Sequence, residues 1–265
     1  MQSRDKNAFF HRVHIDDVNS DFDADDVGLG VSDSTCDKLI EMALSTETEV
    51  DERNPCFACS DGRPDQCWVF RLHAVANRTA VMDPAVALVN LGFGGQCHLD
   101  QFVARTIGDA EANIISIKVG INIINMDSMK ERVFVPALHG FLDTIRERKP
   151  TTPIILISPI FCPSAEHHPG PTVPNSDGKF ATLSGHPELR SGSMSLTRIR
   201  DLIEATVEQR EDGNLDYLNG LDLFGPEDRV DLPDDLHPNP DGYIRMGHRF
   251  AVQKLMSYRI PTHHS

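Results

Sequence analysis

The chain has 265 residues, 40% of them apolar, enough to bury the core of one α/β domain with or without an appendage. No apolar run approaches the length that spans a bilayer, so membrane insertion is not expected. The net charge of −15 disfavours DNA or RNA as a partner.

The charge is unevenly spread. Between Ile15 and Arg53 thirteen acidic residues face only Lys38 and Arg53, giving −11 there and −4 for everything else. Residues 1–55 therefore read as an acidic segment, disordered or loosely attached, ahead of a nearly balanced body over residues 56–265. Within it, Val27–Val31 reads as a short strand and Cys36–Leu44 as a helical face. Asp21–Asp26 mimics the start of a calcium loop but has Asp26 where glycine is needed and Ser32 where glutamate is needed, so that reading is rejected. The opening Met-Gln-Ser-Arg-Asp-Lys has no apolar stretch behind its charges, so a cytoplasmic protein is expected. The six cysteines are then expected as free thiols. Cys56-x-x-Cys59 with Cys67 and His73 is a zinc alternative, weakened by the lack of a second C-x-x-C. No metal site or cofactor is expected.

From Trp68 the pattern becomes regular. Trp68–Ala76 reads as a helix, Val86–Asn90 as a buried strand and Leu99–Ile107 as a helix. Asn113–Val119 is a second β-rich run. Glu131–Arg148 is an amphipathic helix, with Phe134, Leu138, Phe141, Leu142 and Ile145 on one face. Ile154–Ser158 is a third strand. A Pro/Gly/His-rich loop from Pro159 to about Gly192 follows, too long for a plain connector and expected to wall a site; His167 and His168 lie in it as solvated residues. Ser193–Glu211 is a second long helix and Leu215–Leu218 a short strand. Apolar strands alternating with helices indicate a parallel sheet covered on both faces. Ligands then bind beyond the carboxyl ends of the strands.

The polar residues at those ends suggest chemistry. Asn90-Leu-Gly-Phe-Gly-Gly-Gln-Cys97 is a glycine-rich turn whose backbone N–H groups can face a ligand, although it is not a dinucleotide fingerprint. Gly120-Ile-Asn122 puts an amide donor at a strand end, either for an oxyanion or for the turn's own backbone. Asp231–Tyr243 is a Pro-rich loop opening into a helix, and in it Asp234 and His237 are three residues apart. A carboxylate that fixes a histidine tautomer is the orienting half of a nucleophilic triad, though a D-x-x-H alone is equally a polar loop.

Taken together, these segments resemble the SGNH/GDSL hydrolase family from about Trp68 to Ile260. The resemblance implies a three-layer α/β/α, flavodoxin-like fold. It also implies an oxyanion hole from the Gly95 N–H and the Asn122 amide, with Asp234 as orienting acid and His237 as general base. The family's first motif, a strand followed by G-D-S or G-x-S, is degenerate here. The nearest match is Val27-Gly-Leu-Gly-Val-Ser-Asp-Ser-Thr35, with Ser34 as nucleophile. Ser60 lies nearer Trp68 but follows no strand. Counting back from Trp68 reaches Arg53–Phe57, which holds no serine, so loss of the motif stays open. The implied activity is a serine esterase on short-chain or acetyl esters of a small molecule. The alternative is a catalytically silent fold serving as a binding module.

Overall fold

The computed structural model describes residues 10–15, 17–18, 86–91, 93–184 and 187–255. The expected strand at Val27–Val31, the helices at Cys36–Leu44 and Trp68–Ala76, and the four zinc-candidate residues all lie outside them.

Five parallel strands form the central sheet: β1 (Phe10–Ile15), β3 (Val86–Asn90), β5 (Ile114–Lys118), β6 (Ile154–Ile157) and β9 (Leu215–Leu218). Their order is β3-β1-β5-β6-β9. Thus an interior strand of the sheet, β1, is drawn from residues 1–55, the segment set apart by its charge. Phe10 pairs with Val86 on one side of β1, and Arg12 with Ile114 on the other. A two-residue strand β2 (Asp17–Val18) continues just past β1 and pairs with β4 (Phe93–Gly94).

Every residue of β5 and β6 is buried, as expected of parallel strands covered on both faces. Successive side chains serve opposite layers. Ile115, Ile117, Ile154 and Leu156 join one core with Val103, Ile107, Phe134, Leu138, Ile199 and Ile203. Ile114, Ile155 and Ile157 join another with Leu223, Phe224, Tyr243, Met246 and Phe250. Each such fully buried aliphatic side chain contributes about 1.5–3 kcal/mol of transfer free energy.

The first layer is built from α1 (Gln101–Asp109), α2 (Ile121–Met126), α3 (Glu131–Arg146) and α4 (Leu196–Arg210). The second holds α5 (Gly220–Leu223) and α6 (Pro240–Phe250). This is the expected three-layer α/β/α arrangement with a parallel sheet between helices.

The long loop after β6 is more ordered than its composition suggests. Arg200 of α4 is buried and donates to the carbonyls of Pro159 (2.8 Å) and Ile160 (3.1 Å) while pairing with Glu166. Further on, β7 (Thr172–Pro174) and β8 (Phe180–Thr182) form an antiparallel hairpin. Asn175 closes its turn by accepting the N–H groups of Asp177 (2.9 Å) and Lys179 (3.0 Å).

Candidate active site

The Asp/His loop follows β9 and α5. A 3-10 turn, Pro226–Asp231, leads into it, and α6 leaves it. Asn239 caps α6 by accepting the Gly242 N–H (2.9 Å), with Pro240 at the first helical position. The loop is anchored by charge. Asp228, buried under the turn, pairs with Arg245 (2.9 Å) and Arg249, and Asp231 pairs with Arg245 (2.5 Å). Burial raises the Asp228 carboxyl, but the two guanidinium groups and the Gly225 N–H outweigh it and hold it below the usual range.

Asp234 divides its two oxygens between backbone and imidazole. Oδ1 accepts the N–H groups of Leu236 (2.9 Å) and His237 (2.6 Å), which bends the chain back on itself. Oδ2 lies 2.6 Å from His237 Nδ1. The left-handed Asp235 between them (φ 63°) makes the bend tight enough. His237 is buried and Asp234 nearly so, with 21% of its side chain exposed. Burial pushes the Asp234 carboxyl up, yet the bonds from His237 and the two backbone N–H groups hold it below the ordinary value. It is therefore an ionised acceptor that fixes His237 with its proton on Nδ1 and Nε2 as the basic nitrogen.

Two more contacts fix the loop from above. Phe180 of β8 donates its N–H to the Asp234 carbonyl (2.8 Å), and its ring meets the imidazole nearly at right angles. The Cys162 thiol donates to the Asp235 carbonyl (3.3 Å).

The glycine-turn and asparagine candidates sit just past β4 and β5. Gly95 is buried in the left-handed region (φ 66°), where glycine is at ease. The half-buried His98 bonds its carbonyl and meets Ser128 Oγ at 2.9 Å. Burial holds the His98 imidazole below its ordinary value, against the pull of Asp100 and that carbonyl. Gly120 precedes α2 at φ 130°, and a Cβ there would come within 2.6 Å of the Pro159 ring, so only glycine fits. Two residues on, Asn122 is 1% exposed. Its Oδ1 accepts the N–H of Cys97 (3.1 Å), tying the glycine turn to α2 and fixing which way the amide faces. The Nδ2 donor has no hydrogen-bond partner among the described residues.

The structure thus joins Asp234 to His237, and Asn122 to the turn that holds Gly95. Ser34 and Ser60 lie outside the described residues. Among those residues no cluster of side chains suits a metal ion, and no helix is long and apolar enough to cross a membrane. His167 is exposed and meets Thr197 Oγ1 at 3.2 Å. Sequence reasoning missed Phe180, although Asp177-Gly178 between two short extended runs was a hairpin signal. It also missed His98, for which spacing gave no sign.

A model of the GDSL-like Lipase/Acylhydrolase family matches residues 57–245. Comparison with curated proteins finds no match. Among solved structures the chain is similar to the salicylyl-acyltransferase SsfX3 from a tetracycline biosynthetic pathway, at 22% identity and a TM-score of 0.60. That likeness covers 97% of this chain and 57% of the other, so the chain spans little more than half of that protein's length. At this identity it speaks for the fold alone. A carbohydrate esterase family 3 protein from Talaromyces cellulolyticus is 12% identical over 71% of this chain and 88% of that one, with a TM-score of 0.47.

Proposed function

The chain belongs to the GDSL-like lipase/acylhydrolase family, and on that premise we propose how it acts. It cleaves carboxylic esters of small molecules by acyl transfer to water, with short-chain or acetyl groups preferred. Ser34 attacks the ester carbonyl while His237 Nε2 takes its proton, and Asp234 steadies the imidazolium that forms. The Gly95 N–H and the Asn122 amide stabilise the tetrahedral oxyanion. The alcohol leaves with the proton returned by His237, and water repeats the cycle on the acyl-enzyme. Side chains, the Gly95 backbone N–H and water supply every step.

One observation carries this reading: the 2.6 Å contact of Asp234 Oδ2 with His237 Nδ1, held by a carboxylate whose other oxygen is occupied by backbone N–H groups. A polar loop without a task would not need a buried imidazole so fixed. The Nδ2 of Asn122, without a partner among the described residues, adds support, since a buried donor left unpaired costs about 1–3 kcal/mol unless something arrives to accept it.

A second reading, the silent fold, is favoured by one observation. The family's nucleophile follows its first strand, and past β1 the residues paired with Phe93–Gly94, just before Gly95, are Asp17 and Val18. Neither is a nucleophile of this kind.

Fluorophosphonate labelling of the full-length protein with peptide sequencing decides between them. The tryptic peptide running from Val13 to Lys38 carries Ser20, Ser32 and Ser34, so fragmentation must locate the adduct. Adduct on Ser34 is expected. Adduct on Ser20 or Ser60 keeps the esterase and moves its nucleophile, and a folded protein that takes no label is the silent fold.

A further inference from the structure

The Asp234 contact leaves one freedom of the imidazole unrestrained. A hydrogen bond along the Nδ1–H axis fixes the direction of that axis but barely resists rolling of the ring about it. Rolling swings Nε2 away from a nucleophile and, because the ring is tethered at Cβ, draws Nδ1–H off the Asp234 oxygen, so that bond opens more often. Something else must set the roll.

The Phe180 ring is placed to do so. Its centroid lies 5.4 Å from that of His237, with the two planes at 83°, the edge-to-face arrangement aromatic rings prefer. The backbone that carries the ring is tied to the same loop. Phe180 N–H donates to the Asp234 carbonyl at 2.8 Å, and the neighbouring Lys179 pairs with Asp235 at 3.0 Å. Across the hairpin Phe180 is in register with Pro174. The opposite strand β7 packs against α2, the helix that carries Asn122. Phe180 is half-buried: its ring packs against the main core while also meeting the imidazole.

We propose that the β7–β8 hairpin is the positioning element of the site, with Phe180 setting the roll of the His237 ring. Through β7 the same hairpin registers the histidine against the Asn122 helix. This inference rests on the esterase reading for its purpose, but its physical content does not depend on turnover.

The test is the exchange of the His237 Nδ1 proton with water, read by NMR on the full-length protein. The resonance is identified by its loss in His237→Gln. It is measured in the unsubstituted protein and in Phe180→Ala, Phe180→Leu and Phe180→Tyr. Exchange should quicken roughly two- to ten-fold in the alanine and leucine variants, which lose the ring, and stay slow with tyrosine. Where turnover is present, kcat should fall by a similar factor with KM unchanged. Unaltered exchange in folded Phe180→Leu overturns the proposal, as does the lack of a protected Nδ1 proton in the unsubstituted protein. Should Phe180→Ala fail to fold, Phe180→Leu, which keeps most of the bulk, decides alone. An unsubstituted protein without turnover counts against the esterase, while the exchange result still decides the role of Phe180.

Discussion

The Asp/His loop and the glycine–asparagine side are built on opposite plans. In the loop four aspartates are engaged: Asp228 and Asp231 by arginines, Asp234 by His237, Asp235 by Lys179 and Arg229. Asn122 is buried as deeply as any of them, but among the described residues only its acceptor is used. The contrast suits the two tasks proposed. A base must hold one orientation through the whole cycle, so its bonds are made in advance. A donor for charge that appears only in the transition state must be fixed yet unspent.

The largest effect should come from the prebuilt side. His237→Ala should lower kcat by about 10⁴-fold or more in a hydrolysis assay with a chromogenic acetate ester, with little change in KM. Turnover insensitive to that substitution would break the comparison at its root. Next comes the unspent side. Asn122→Ala should cost about 10²–10³ in kcat. It should also destabilise by about 1–3 kcal/mol in urea, because the buried Cys97 N–H loses its acceptor. Loss of stability with kcat intact would leave Asn122 a structural residue and remove half the contrast.

The smallest effect is read from acid. The Asp234 carboxyl is held below its ordinary value in the folded protein. Its bonds therefore stabilise fully above the ordinary carboxylate range and are lost as pH falls through the lowered folded value. Below about pH 4, Tm should fall less steeply for Asp234→Asn than for the unsubstituted protein. Parallel Tm curves would mean that the carboxylate contributes orientation and no stability.

Much of this was legible in the sequence, for reasons tied to particular residues. β5, β6 and β9 are apolar enough to name themselves, and the stripes of α3 and α4 repeat at helical spacing. The reading of Glu131–Arg148 ran two residues past the observed end. Asp234 and His237 stood out because four nearby Pro and Gly residues exclude a helix interior. Phe10–Ile15 did not stand out. His11, Arg12 and His14 break the continuous apolar run that a central parallel strand usually shows, and its partners are distant in the chain. The hold of Cys97 on Asn122 and of Phe180 on His237 is likewise tertiary, and no local spacing encodes it. Ser34 remains a reading of motif alone.

The place of β1 in the sheet also has a consequence for how the chain is made. β1 pairs with Val86–Asn90 on one edge and with Ile114–Ile117 on the other. A ribosome therefore delivers this interior strand well before either of its neighbours. Until then the strand has two bare edges, and an apolar one would be a template for aggregation. The histidines and arginine that hide Phe10–Ile15 from a reader of sequence are the kind of residue that keeps a waiting strand in water.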